Sequence, residues 1–167
     1  MYKLKVKPLT MENFAPYGYF VNMINPTTTP LGDPNAPVCF YRDMIPVNIG
    51  MPRSNVLFSI TRCLKRPNVI AGVEYHTSTG EGNMALDGDM LVYLAPASKK
   101  KPEFKDFDAF LVPKGTFVSI HPGVWHMAPF AVDTDVLNCL VVLPERTYAN
   151  DCEFEIFSED ERIEIEL

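Results

Sequence analysis

Residues that can move a proton or hold a cation crowd into one stretch of the chain, GVEYHTSTGEGNMALDG, residues 72–88. Its spacing is Glu74-x-His76-x4-Glu81-x6-Gly88. A second dense segment, His121-Pro122-Gly123-Val124-Trp125-His126, carries an imidazole at each end of a Pro-Gly turn. The chain has three histidines, and all three fall in these two segments. Imidazole with carboxylate is a donor set that suits borderline divalent metals, and it also performs acid–base chemistry near neutral pH. From the residues alone, three readings stand: a metal site, an acid–base site, or a salt-bridged structural cluster.

Positioning such groups requires strands. Val69-Ile70-Ala71 before the first segment and Met90–Leu94 after it are apolar and β-prone. In a strand, side chains at i and i+2 share a face, so Glu74 and His76 look one way and Val73 and Tyr75 the other. A turn at 77–80 returns Glu81 on a neighbouring strand, aimed at the same space. Upstream, Leu4–Leu9 reads as a strand. Thr10 is an N-cap for a short helix with Glu12 in its first turn, ended by Pro16 and Gly18. Tyr19–Ile24, Val38–Tyr41, Val47–Ile49 and Asn55–Arg62 are strand-like, with Arg62 on a mainly apolar face. Residues 25–37 are proline-rich and read as a surface loop, a candidate lid. Ala109–Val112, Thr116–Ile120, Phe130–Val132 and Val136–Leu143 follow, and Glu159–Leu167 alternates as an edge strand. About ten short strands against one visible helix indicate an all-β sandwich or barrel.

At 167 residues the chain reads as one domain, 1–167, with 47% apolar residues and length enough for a core. A net charge of −6 argues against nucleic acid as a partner, because a phosphate backbone needs a basic face. Lys99-Lys100-Lys101 is read as a solvated hairpin tip. Four widely spaced cysteines, with no C-x-x-C pair, suit reduced thiols in the cytoplasm. The N-terminus lacks an apolar secretory core, and no segment reaches a membrane span.

The two dense segments resemble the two motifs of the cupin family. His76-x4-Glu81-x6-Gly88 matches the back half of its first motif, G-x5-H-x-H-x3/4-E-x6-G, with Glu74 at the first histidine. Pro122–His126 resembles the turn that closes its second motif, one residue shorter. The resemblance implies a double-stranded β-helix, a jelly-roll barrel with one or two short helices, and ligand positions at Glu74, His76, Glu81 and His126. Such a set suits Mn, Fe, Ni or Zn, and the same groups can also work metal-free.

Nearly the whole chain is similar to the ureidoglycolate lyase family. Lys3–Gly18 reproduces its K-L-x-V-x-P-L…F-x-x-Y-G pattern, and Ser59-Ile60-Thr61-Arg62 its S-I-x-R strand. Glu74–Glu81 and Val124–Phe130 align with its E-R-H-P-x-x-x-Q and V-W-H-H-P segments, and Asn150–Glu153 with its N-C-D. Glu81 stands where the family usually has glutamine, and Met127 where it has a second histidine. The resemblance implies release of urea and glyoxylate from ureidoglycolate, a small carboxylate, by a cytoplasmic homodimer. In that scheme Arg62 holds the substrate carboxylate. Glu74 or Glu81 is the base, His121 or His126 the acid, and Trp125 is core or pocket wall. A metal-dependent cupin acting on another small acid, and a non-catalytic small-molecule binder, are the competing readings.

Overall fold

The computed structural model describes residues 1–24, 26–30, 33, 41–50 and 55–167. The strands are β1 (Tyr2–Lys7), β2 (Gly18–Asn22), β3 (Val56–Leu64), β4 (Val69–Ile70), β5 (Gly72–Tyr75), β6 (Glu81–Ala85) and β7 (Met90–Leu94). They continue with β8 (Asp108–Val112), β9 (Thr116–Ile120), β10 (Phe130–Ala131), β11 (Val136–Pro144), β12 (Glu153–Ile156) and β13 (Ile163–Glu166). Two helices of four residues, α1 (Met11–Phe14) and α2 (Thr147–Asn150), complete the framework.

One sheet has six strands in the order β10-β7-β8-β1-β13-β4, a second has five in the order β2-β9-β6-β11-β3, and β12 pairs with β5. The two larger sheets contribute together to one apolar cluster, with Met90, Val92, Leu94 and Phe110 from the first meeting Cys63, Val118, Leu137 and Cys139 from the second. Two curled sheets around a shared interior make a jelly-roll barrel, as the cupin resemblance implies. Alternation then explains β7, whose five residues are all buried. Its even-numbered side chains fill the barrel, while Leu91 and Tyr93 enter a second cluster with Trp125, Phe130 and Phe157 on the sheet's other face.

Local chemistry sets several element ends. Thr10 caps α1, its hydroxyl accepting from the Asn13 amide at 3.2 Å. β2 stops at Asn22, whose side chain accepts from the Ile24 amide at 3.0 Å and turns the chain before the expected end at Ile24. The expected tail strand forms as β13, but not at an edge: it pairs parallel with β1 and antiparallel with β4, burying Ile163 and Ile165. Val47–Ile49 is not a strand. Pro46 has no N–H to give, and the Asn48 carbonyl ties the segment to the barrel by accepting from the Gly80 amide at 2.7 Å and the Thr79 hydroxyl at 3.4 Å. Val38–Phe40, and most of the loop read at 25–37, lie outside the described residues. Lys101 is more than a solvated tip: it pairs with Glu161 at 2.6 Å and sits 4.9 Å over the Phe157 ring.

β3 is an edge strand of an unusual kind. Thr61 and Cys63 point inward, whereas Phe58 is 71% and Ile60 53% exposed on the outer face. Arg62 shares that outer parity and is exposed too.

Candidate metal and acid–base site

The first dense segment behaves as its spacing dictates. β5 carries Glu74, and His76 follows it by two residues on the same face. The connector 77–80 then turns the chain into β6, which opens with Glu81. Gly80 is required there, because a Cβ would lie 2.4 Å from the Ile120 carbonyl oxygen. The second segment is stitched to the first through backbone. Glu74 and His126 exchange both amide–carbonyl bonds, at 2.7 and 2.8 Å, and the Gly123 amide donates to the His76 carbonyl at 2.7 Å. Gly123 makes that turn with φ +78°, a conformation side chains disfavour.

The result is a buried group of His76, Glu81 and His126, whose ligand-type atoms lie within 4.8 Å of one another. Their exposures are 4%, 8% and 3%. Glu81 Oε2 faces both imidazoles, 3.0 Å from His76 Nε2 and 3.5 Å from His126 Nε2. The far nitrogens are anchored: His76 Nδ1 donates to the Asp151 carbonyl at 2.7 Å and His126 Nδ1 to the Val124 carbonyl at 2.8 Å. A carbonyl oxygen only accepts, so each Nδ1 carries a hydrogen and each neutral ring turns the Nε2 lone pair toward Glu81. His126 Nε2 is fully buried and has no hydrogen-bond partner. Two imidazole lone pairs and a carboxylate oxygen converging in a buried space suit a proton or a cation between them. Backbone-anchored imidazoles of this kind are the usual outer support of a metal ligand set. The group could therefore hold a metal ion.

The electrostatics describe the protonated alternative. Burial pushes His126 toward its neutral form, yet Glu81 beside it prevails and raises its pKa above the ordinary value. Burial likewise opposes ionisation of Glu81, but His126 and His76 hold its carboxyl far below the usual carboxylate range. Glu81 Oε1 is also taken, accepting from Asn83 Nδ2 at 2.8 Å. Glu74 opens onto the same cavity, of ≈ 130 Å³, as His76 and Glu81. It accepts from the Cys152 thiol at 3.1 Å, and that thiol is pushed up to about 12 by burial and then by Glu74. Thr61 and Tyr148 complete the polar wall. Among the described residues no lysine or arginine lines this cavity.

The sequence matches the family described as ureidoglycolate lyase over residues 1–166. The chain belongs to the ureidoglycolate lyase family. A ureidoglycolate lyase of Pseudomonas paraeruginosa PA7 is 28% identical over 173 aligned positions, covering 98% of this chain and 95% of that protein. One from Pseudomonas fluorescens SBW25 is 26% identical over 173 positions, covering 98% and 96%. Among solved structures, a dTDP sugar isomerase of Desulfovibrio desulfuricans G20 aligns with a TM-score of 0.45 at 16% identity, over 89% of this chain and 85% of that one, a likeness too distant to inform the chemistry.

The sequence had pointed to seven site residues, through the two resemblances together, and the fold brings four of them to one place. Glu74, His76, Glu81 and His126 meet as described. Arg62 does not join them: strand parity sends it to the outer face of β3, while its neighbour Thr61 takes the cavity position. Trp125 sits in the second apolar cluster, against Tyr75 with ring centroids 4.3 Å apart, and its indole N–H donates to Ser98. It is core, not substrate wall. His121 packs edge-on against Tyr19 at 5.1 Å, in a separate depression with Pro46 and Ser119. The family's second histidine position, Met127, packs against the second cluster.

Residues passed over in the sequence also matter. Asn83 is i+2 from Glu81 on one strand, so parity alone would have placed it on the same face. Arg66 donates to the Ala128 and Pro129 carbonyls at 3.2 and 3.1 Å and lies 4.3 Å over the Phe130 ring. It thereby fixes the cavity wall that follows His126. Asp151 and Cys152 lie in the Asn150–Glu153 stretch that aligned with the family's N-C-D, but no local spacing tied them to the site, which they reach from the far end of the chain.

Proposed function

We propose that this chain catalyses the release of urea from ureidoglycolate, leaving glyoxylate. The observation that carries the reading is the convergence of His76, Glu81 and His126, with Glu74 on the same cavity as His76 and Glu81, in a chain that belongs to this family. Ureidoglycolate bears a hydroxyl, a carboxylate and a ureido nitrogen on one carbon. In the reaction a base takes the hydroxyl proton, the O–H electron pair becomes the carbonyl of glyoxylate, and the C–N bond breaks. Its electron pair leaves with the urea nitrogen, which takes up a proton.

Glu74 is the better base. Both oxygens of Glu81 are occupied, by Asn83 on one side and the imidazoles on the other, whereas Glu74 faces the cavity and, among the described residues, its side chain accepts from the Cys152 thiol. The Cys152 thiol stays protonated and orients that carboxylate. His126, which holds a proton against Glu81, is the acid of this scheme in a metal-free site. A divalent transition metal such as Mn, Fe, Ni or Zn fits the His76, Glu81 and His126 donors. When bound, it would polarise substrate oxygens and offset the substrate carboxylate, for which the described cavity wall offers no cation. Confinement comes from Pro129, Val141 and Leu143 on the apolar side.

The partner reading extends to a homodimer. The apolar outer face of β3, with Phe58 and Ile60 exposed on an open sheet edge, favours burial against a second copy. Sedimentation equilibrium of the purified protein tests it, and a monomer at all concentrations refutes it. The three described cysteines are free thiols, which suits action in the cytoplasm. No helix among the described residues is long and apolar enough to cross a membrane.

The test of the activity is glyoxylate formation from ureidoglycolate, against an enzyme-free control, before and after dialysis with a chelator. Release above the control supports the lyase reading, and its loss on chelation with recovery on adding metal assigns the cluster as a metal site. Folded His126→Ala with undiminished turnover would exclude His126 from the chemistry.

A further inference from the structure

His76 has an unusual support. Its Nδ1–H is received by the backbone carbonyl of Asp151, a residue 75 positions away. The side chain of that same residue grips the turn that follows His76. One carboxylate oxygen accepts from the Thr77 amide at 2.8 Å and from the Thr77 hydroxyl; the other accepts from the Ser78 amide at 2.9 Å and the Ser78 hydroxyl at 2.5 Å. Four donors on one carboxylate outweigh its partial burial and hold its pKa down at about 2. The Asp151 backbone is itself fixed. Its amide closes α2 on the Thr147 carbonyl at 2.8 Å, and the Thr147 hydroxyl donates to the Pro144 carbonyl at 2.9 Å at the end of β11.

The turn gripped by Asp151 is the connector between His76 and Glu81. Both cavity ligands flank it. We infer that Asp151 is a positioning residue that sets the ring orientation and tautomer of His76, by locking the 77–78 turn to the segment whose carbonyl receives the His76 proton. Without the side-chain grip, the carbonyl and the ring are no longer held in register, and the ring loses the bond that keeps its Nε2 lone pair on Glu81. Proximity alone would not give this coupling. It arises because one residue supplies both the acceptor for the ring and the clamp for the chain beside the ring. The inference rests on the reading of His76 as a site residue and holds whether a proton or a metal occupies the cluster.

The experiment uses the full chain and three variants, Asp151→Ala, Asp151→Asn and, as control, Asp87→Ala. Asp87 accepts from the Asn138 amide at 2.8 Å, but in the turn beyond the end of β6 opposite Glu81. Its removal therefore costs comparable stability without touching His76. With three histidines, imidazole 15N correlation spectra resolve the tautomer of each ring. Calorimetric titration with Ni²⁺ alone gives affinity. Parent and Asp87→Ala should show His76 in the Nδ1–H form. Asp151→Ala should shift it toward the Nε2–H form that dominates in water and weaken Ni²⁺ binding by about 10- to 100-fold. Asp151→Asn, which keeps one acceptor oxygen, should fall between, and it decides the matter if the alanine variant does not fold. An unchanged His76 tautomer with Ni²⁺ affinity within about twofold of the parent overturns the inference. A parent that binds no Ni²⁺ counts against the metal reading alone, and the tautomer then decides the role of Asp151.

Discussion

Glu81→Gln isolates the charge at the centre of the cluster while keeping its shape, and it restores the residue that the family pattern carries there. The carboxylate oxygen lies 3.5 Å from His126 Nε2. At an effective dielectric of about 20, a protonated His126 at that distance gains roughly 5 kcal/mol of attraction, most of it offset by desolvation. The balance is favourable, since His126 sits above the ordinary value of 6.5. In the metal-free protein this pair therefore contributes stability that is complete below 6.5 and is lost as pH rises through the folded value. With glutamine, burial of His126 is opposed only by the Val124 carbonyl and Glu74, so its pKa falls from the parent's raised position. The amide can still accept from Asn83 and donate to one imidazole lone pair, so folding survives. The expected loss is about 1–2 kcal/mol at pH 5 and is smaller at pH 8, having shrunk as pH rises through the folded value. Metal affinity should fall by at least about 100-fold, about 2.7 kcal/mol, because the sole anionic donor of the group is gone. Scanning calorimetry at the two pH values and calorimetric titration with Ni²⁺ measure both effects. A variant with the parent's pH dependence of melting and the parent's affinity would refute the ion-pair geometry and the ligand assignment together.

Arg62→Ala should leave KM and kcat for ureidoglycolate within about twofold of the parent, since the side chain points away from the cavity; a tenfold rise in KM would overturn that placement. Gly123→Ala places a side chain at φ +78° with its Cβ 3.1 Å from that of Ala97, and should cost about 1–2 kcal/mol, read as a drop of several degrees in Tm. An unchanged Tm would show the turn to be relaxed. Asp151 ionises at about 2 in the folded chain against 3.8 ordinarily, so it contributes stability above pH 4 that is lost as pH falls toward 2. Solvent screening of this partly exposed group limits the contribution to about 1 kcal/mol. The parent should lose that increment between pH 4 and 2 in acid titration, and Asp151→Asn should not; parallel curves would contradict the shift.

What the sequence could reveal about the site follows from the range of its physics. Glu74, His76 and Glu81 were legible because period-two alternation and one turn are local rules, and the three residues lie within eight positions. His126 was legible because the Pro-Gly turn and the scarcity of histidine singled it out. Arg62 was misplaced by a rule of the same kind applied without the barrel. Its strand has apolar residues on both faces, Leu57 on one and Phe58 and Ile60 on the other, so alternation gave two faces and no means of telling which was inside. The usual inference makes the more apolar face the interior. Here the more apolar face is the outer one, Phe58 and Ile60 are exposed, and Ser59 and Thr61 share the inward parity. The tail was misread for a related reason. Alternating charge along Ile163–Glu166 suits an edge strand, but parallel pairing with β1 lets Lys3 meet Glu164 and Glu166, at 2.5 and 3.4 Å, which settles acidic residues in a sheet interior. The segment holding Asp151 had aligned with the family's N-C-D, but the residue's role lay beyond any local rule. Its role exists only because the barrel closes a gap of 75 residues, and a carboxylate that serves the site from the outside has no spacing to betray it.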